Sequence, residues 1–190
     1  MRIKICGITR SEDAQYAEKA GAHAIGVVLF SESKRSVTPD RAREIFNAVG
    51  PFTATVAVTH TQSREELNEI IALDPTAIQI FHPFVFDRLP GPKIIRVIAR
   101  GAPLPDDCAA VIVDESHGGG KLFDPYHAKE AVKRSHVPVI LAGGLTPANV
   151  GRAIHEIQPY AVDVASGVEV SPGIKDHRKI EAFITACRNF

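Results

Sequence analysis

Eight short runs rich in Ile and Val, near residues 2–6, 23–29, 53–58, 76–80, 93–98, 109–113, 137–141 and 160–164, divide this chain into a regular series. Runs of that length, apolar almost throughout, suit strands covered on both faces. Between them lie segments with helical spacing: 11–20 with Ser11 as a cap, 39–48 with Pro39 in its first turn, 63–73 capped by Ser63, 125–135, 147–157 after Thr146-Pro147, and 175–187. Strand and helix in alternation imply parallel pairing, and eight strands are the number that closes such a sheet on itself. The expected fold class is α/β, a compact (β/α)8 barrel, with residues 1–190 forming one domain. Two intervals resist a regular helix. Prolines bound the Phe-rich stretch 82–90, and Gly101, Pro103 and Pro105 interrupt 99–108, so one or two outer helices are expected to be degenerate there.

The residues that could do chemistry fall just after the apolar runs. Cys6-Gly7 follows Ile3-Lys4-Ile5, Asp114 follows Val111-Ile112-Val113, Gly143-Gly144 follows Val139-Ile140-Leu141, and Ser166-Gly167 follows Ala161-Val162-Asp163-Val164. In a parallel barrel all four groups stand on the C-terminal rim, where barrels of this type place their active sites.

The 190 residues carry 22 Lys and Arg against 22 Asp and Glu, and 45% are apolar. Such a chain can bury one sizeable core, but it has no broad field to attract nucleic acid or an anionic membrane. A small-molecule partner is expected instead, with the protein a monomer or homodimer. No apolar stretch approaches the roughly 20 residues that cross a bilayer and no signal-type segment is evident, so a cytoplasmic location is expected. Cys6, Cys108 and Cys187 are odd in number and lack metal-type spacing, which argues against a disulfide framework.

Paired glycines at two adjacent strand ends point to phosphate. Gly143, Gly144, Ser166 and Gly167 can leave backbone N–H groups free to close on an anion, and the loops after strands seven and eight are a recurrent phosphate site of barrels. The competing reading is that these glycines only turn the chain. Ser171-Pro172-Gly173 is expected to shape a short extra turn that adds to the cradle. Cys6 is either a small apolar filler, the usual fate of a free cysteine, or a base at a strand end with Gly7 leaving room for a ligand. Asp114 either faces Cys6 across the barrel mouth, beside Gly118-Gly119-Gly120, or accepts N–H bonds from its own glycine-rich turn. Arg35, in the loop after the second strand, could hold a carboxylate or phosphate bidentately or could simply be solvated.

These residues sit in stretches with a familiar look. KICGITRSEDA at 4–14, SKR at 33–35, GGGKLFD at 118–124, ILAGGLTPANV at 140–150 and AVDVASGVEVSPGIKDHRKI at 161–180 resemble the phosphoribosylanthranilate isomerase family of tryptophan biosynthesis. The likeness runs from the first strand to the last helix, with residues 50–110 matching only in pattern. It implies an Amadori rearrangement of N-(5-phosphoribosyl)anthranilate to 1-(2-carboxyphenylamino)-1-deoxyribulose 5-phosphate. It further implies Cys6 as general base, Asp114 as general acid, Arg35 against the anthranilate part of the ligand, and Gly143, Gly144, Ser166 and Gly167 at the phosphate. No metal or organic cofactor is implied, because the substrate's own nitrogen serves as the electron sink.

The chain departs from the family pattern in four places. Gln79-Ile80-Phe81-His82 moves a histidine by one position, so His82 receives no role. The loop from Asp114 to Lys121 is short, as in archaeal-type members. Ala165 stands where serine is common, and Thr59-His60-Thr61 replaces a more apolar stretch. Two other readings remain at this level: a different phosphosugar isomerase or epimerase, whose families favour other strand-end acids, and a flavin-binding or non-catalytic barrel that uses the phosphate cradle alone.

Overall fold

A computed structural model describes residues 1–86, 91–98, 101–114 and 123–189. Eight parallel strands run β1 Arg2–Ile5, β2 Ala24–Leu29, β3 Ala54–Thr59, β4 Ala77–Ile80, β5 Lys93–Ile98, β6 Ala110–Val113, β7 Val139–Leu141 and β8 Ala161–Val164. Each pairs with the next in sequence, and β1 also pairs with β8, which closes the barrel. All eight strands fall where the apolar runs predict them.

Among the described residues six helices cover the outside: α1 Ser11–Ala20, α2 Pro39–Asn47, α3 Arg64–Ala72, α4 Pro125–Arg134, α5 Val150–Ile157 and α6 His177–Arg188. Local chemistry sets their starts. Thr38 caps α2 ahead of Pro39, and the Ser63 side chain accepts from the Glu66 amide at the start of α3. Ser11 does not cap α1. It is the first helical residue, behind Arg10, whose guanidinium instead grips the buried Asp13 carboxylate through two bonds of 2.9 Å. Helix α5 starts at Val150, later than Thr146-Pro147 suggests, because the Asn149 side chain is committed to the preceding loop.

Between β4 and β6 no helix forms among the described residues, as the prolines require. Arg96 of β5 pins this part of the chain instead. Its guanidinium reaches Asp107 on one side at 2.8 Å and the Phe84 carbonyl on the other at 2.8 Å.

Alternation along the strands sorts the side chains into two compartments. Ile3, Ile5, Ile25, Val27, Ile78, Val111, Leu141 and Val162 point outward into the layer under the helices, the larger core. Val28, Val56, Val58, Ile95, Ile112 and Ile140 point inward and fill the barrel with Cys6 and small residues. Beyond β8 the chain makes a 3-10 turn at Ser166–Val168 and then an antiparallel ribbon, Glu169–Ser171 with Ile174–Lys175. The extra turn expected at Ser171-Pro172-Gly173 is therefore the bend of this ribbon, while the helical turn forms earlier.

Candidate active site

The barrel interior carries charge where an inward lysine meets an inward aspartate. Lys4 on β1 lies in register with Asp163 on β8, and both belong to the inward-facing set. The ammonium sits 2.9 Å from the Asp163 carboxylate and 3.0 Å from the Gln79 amide oxygen on β4, with only 4% of Lys4 exposed. Burial opposes the Lys4 charge, yet Asp163 and a smaller push from Cys6 outweigh it and hold the ammonium above its ordinary pKa.

Two residues along β1 from Lys4, Cys6 ends the strand with its side chain on the same inward side. Cys6, Asp114, Arg35, His60, Gln79, Phe81, Asp163 and Ala165 line one cavity of about 60 Å³ at the C-terminal mouth. The structure thus brings together the strand-end thiol and carboxyl that the sequence places on a common rim. Cys6 is buried, as are Cys108 and Cys187, and none is bridged. Burial pushes the Cys6 thiol up and Asp163 pushes it further, while Lys4 and then Lys175 pull it down without prevailing.

Gly26 on β2 makes room for this arrangement. A methyl group there would stand 2.8 Å from the Cys6 sulfur and 2.9 Å from Lys4 Cε. Neither neighbour can yield easily, since Lys4 is tethered at its tip and Cys6 at its backbone. Gly26→Ala is expected to lower stability by about 1–3 kcal/mol through overpacking, measured by urea unfolding. An unchanged midpoint would show the barrel floor to be softer than its contacts imply.

Arg35 is neither solvated nor open-handed. Its Nε and one terminal nitrogen grip the Glu169 carboxylate at 2.9 and 2.7 Å, and its stem crosses Gly7, where a Cβ would lie 2.5 Å from Arg35 Cδ. Gly7 adopts φ +70°, so both space and backbone conformation call for glycine. Glu169 also accepts from Lys175 at 2.8 Å and from the Gly173 amide at 3.1 Å. Burial works against its charge, but Arg35 and Lys175 win and hold the carboxyl below its usual range. Lys175 in turn donates to the carbonyls of Cys6 at 2.6 Å and Ala165 at 3.2 Å, tying the ribbon to the ends of β1 and β8.

The glycine pairs form a second feature of the rim. Gly143 and Gly144 take φ of 92° and 62°, and the Asn149 amide fastens their loop by donating to the Gly144 carbonyl while its oxygen accepts from the Thr146 amide. Gly167 packs against that loop so closely that a Cβ would fall 1.9 Å from the Leu145 carbonyl oxygen. The loops after β7 and β8 are thus in direct contact, and among the described residues the amides of Gly143, Gly144, Ser166 and Gly167 donate no backbone hydrogen bond. Together they can receive an anion.

Sequence reasoning missed several members of the site. Lys4, Gln79 and Asp163 fall within the predicted strands, Lys175 opens the predicted helix 175–187, and Glu169 carries no assigned role. His60 and Phe81, whose rings stack with centroids 3.9 Å apart, were left without a role. His60 also meets the Ser31 hydroxyl at 2.9 Å. The shift of histidine by one position has a visible consequence: Phe81 lines the cavity and His82 packs edge-on against Phe84. Gly118, Gly119, Gly120 and Lys121 lie outside the described residues.

Comparison with known proteins gives a consistent result. A family model described as N-(5'phosphoribosyl)anthranilate (PRA) isomerase matches residues 3–186. An N-(5'-phosphoribosyl)anthranilate isomerase of Methanoregula boonei is 65% identical over 99% of this chain and 97% of its own length. Among solved structures, phosphoribosyl anthranilate isomerase from Thermus thermophilus superposes with a TM-score of 0.86 at 34% identity, covering 100% of this chain and 99% of its own. Another phosphoribosyl anthranilate isomerase, solved in complex with reduced 1-(o-carboxyphenylamino)-1-deoxyribulose 5-phosphate, gives 0.82 at 30% identity and covers 100% of both chains.

Proposed function

Because this chain belongs to the N-(5'-phosphoribosyl)anthranilate isomerase family and is an isomerase of tryptophan biosynthesis, we propose that it works by general acid–base catalysis between Cys6 and Asp114. The observation that carries this reading is the single cavity lined by both residues at the end of the barrel where the glycine loops meet. The substrate is N-(5-phosphoribosyl)anthranilate. Its phosphate sits against the amides of Gly143, Gly144, Ser166 and Gly167, and its anthranilate ring lies toward Arg35.

Asp114 donates a proton to the furanose ring oxygen, the ring C–O bond breaks, and the nitrogen lone pair forms an iminium at C1. The positive nitrogen makes the C2 hydrogen acidic. Cys6, as thiolate, removes it, and the C–H electron pair moves into the new C1–C2 double bond as the iminium is neutralised. The resulting enolamine ketonises to 1-(2-carboxyphenylamino)-1-deoxyribulose 5-phosphate. General acid and base steps of this kind each supply about 10²–10⁴-fold, and anchoring of the phosphate supplies orientation.

Arg35 contributes differently from a bare cation. With Glu169 holding its fork, it presents a fixed guanidinium plane and one remaining terminal nitrogen to the ligand, which suits an aromatic acid. The reading further includes one domain over residues 1–190, a cytoplasmic location, a monomer or homodimer, and no nucleic-acid or membrane partner. No helix of the described residues is long and apolar enough to cross a membrane.

The test of activity is the decay of anthranilate-type fluorescence when the protein meets freshly prepared phosphoribosylanthranilate. Decay no faster than spontaneous hydrolysis would overturn the reading. For the phosphate cradle, Gly167→Ala should drive the two loops apart and raise KM about tenfold or more, with kcat changed less; a KM within twofold of the parent would place the phosphate elsewhere.

A further inference from the structure

The proposed chemistry needs Cys6 as a thiolate, and the resting site opposes that. The sulfur is buried beside the carboxylate of Asp163, and both influences favour the neutral thiol. Any device that makes the thiolate accessible must therefore be a cation held near the sulfur with a proton to offer it.

Among the described residues three cations stand close enough to matter, and hydrogen-bond counting separates them. Arg35 has its fork on Glu169. Lys175 has three ammonium protons and three acceptors, the Cys6 carbonyl, the Ala165 carbonyl and Glu169, so it grips the backbone of Cys6 and has none left for the sulfur. Lys4 has two acceptors, Asp163 and Gln79, which leaves one ammonium proton over, and its stem lies beside the sulfur at Gly26. Gly26 brings the two side chains together, since the Lys4 stem and the Cys6 sulfur share the space above it that a side chain would occupy.

Resting on the reading of Cys6 as base, we propose that Lys4 is the positioning residue that holds the Cys6 sulfur as a thiolate for removal of the C2 proton, with Asp163 and Gln79 fixing the ammonium and Asp163 limiting how far its charge reaches. Lys4 keeps its three protons and Asp163 its charge throughout. The C2 proton passes to sulfur alone, and the charge that Lys4 faces changes from thiolate to thiol in that step. The charged groups around the sulfur are then Lys4 from β1, Asp163 from β8, Lys175 and Glu169 from the ribbon, Arg35 from the loop after β2 and Asp114 from the end of β6. Among these described groups Lys4 combines a positive charge with a donor that its two acceptors leave over.

The two charges predict opposite effects, which makes the test independent of any single variant. The rate of Cys6 alkylation by iodoacetamide, read by mass spectrometry of the Cys6 peptide from pH 6 to 10 without substrate, reports thiolate population directly. In Lys4→Met alkylation at pH 8 should fall tenfold or more and the acidic limb of the kcat profile should move to higher pH, and Lys4→Met/Asp163→Asn, where no charge is left unpaired, should be alkylated slower than Asp163→Asn by a similar factor. In Asp163→Asn, which keeps an acceptor for Lys4 and removes the opposing charge, alkylation should quicken about tenfold. Lys4→Arg should recover part of the lost reactivity. Unchanged alkylation curves in these variants, or slower alkylation in Asp163→Asn, would overturn the proposal. Failure of the parent reading looks different: Cys6→Ser would keep its turnover while the alkylation shifts remained.

Discussion

Cys6→Ser should lower kcat by roughly 10²–10⁴-fold, the range a positioned general base supplies, with KM within a few-fold of the parent. The substitution exchanges a thiol, with an ordinary pKa of about 8.5, for a hydroxyl that does not ionise in the working range of pH. Little else should change. The serine hydroxyl is close to the thiol in size and can both donate and accept, so the melting temperature should stay within a few degrees. Gly143, Gly144, Ser166 and Gly167 do not line the cavity in which Cys6 stands. Steady-state kinetics by fluorescence decay measures the outcome, and turnover within threefold of the parent would remove Cys6 from the chemistry.

Asp114→Asn should cost a similar factor, about 10²–10⁴-fold in kcat, for a different reason. The amide preserves the volume and can still hydrogen-bond, but it has no acidic proton to give the ring oxygen, so the furanose stays closed. Binding should survive: an unreactive product analogue carrying the same phosphate and aromatic acid should bind Asp114→Asn with an affinity near that of the parent. Calorimetry separates the two possibilities. A large loss of affinity with kcat little changed would make Asp114 a binding group rather than an acid. Because the two residues act in successive steps of one reaction, the double variant should lose less than the product of the single losses.

The eight strands and six helices of the described residues were legible in the chain because each is announced by local chemistry: an apolar run of five to seven residues, a cap, a proline in a first turn. The rim residues were legible for the same reason. Once strands are parallel, every residue that follows a strand lies at one end of the barrel, so Cys6, Asp114 and the glycine pairs share a face without any knowledge of tertiary contacts. Ser11 as the cap of α1 was not borne out, since Arg10 bonded to Asp13 sets that end and the serine begins the helix.

Lys4 shows what local pattern hides. In the run Ile3-Lys4-Ile5 nothing local marks the lysine for a role, whereas closure of the barrel turns that position inward. Its partners lie 159 and 75 residues away, at Asp163 and Gln79. Arg35 is a similar case. Its place on the rim could be anticipated, but not that Glu169, 134 residues further on, would take its fork and fix the plane it presents. The sequence alone determined the alternation of elements, and with it the end of the barrel where the reactive groups gather, because strand and helix periods are properties of neighbouring residues. Only the tertiary structure decided which charges meet inside. That choice depends on the register of β1 against β8 and on the closing of the sheet, and the buried ammonium persists because two other strands, β4 and β8, bring it an acceptor and a counter-charge.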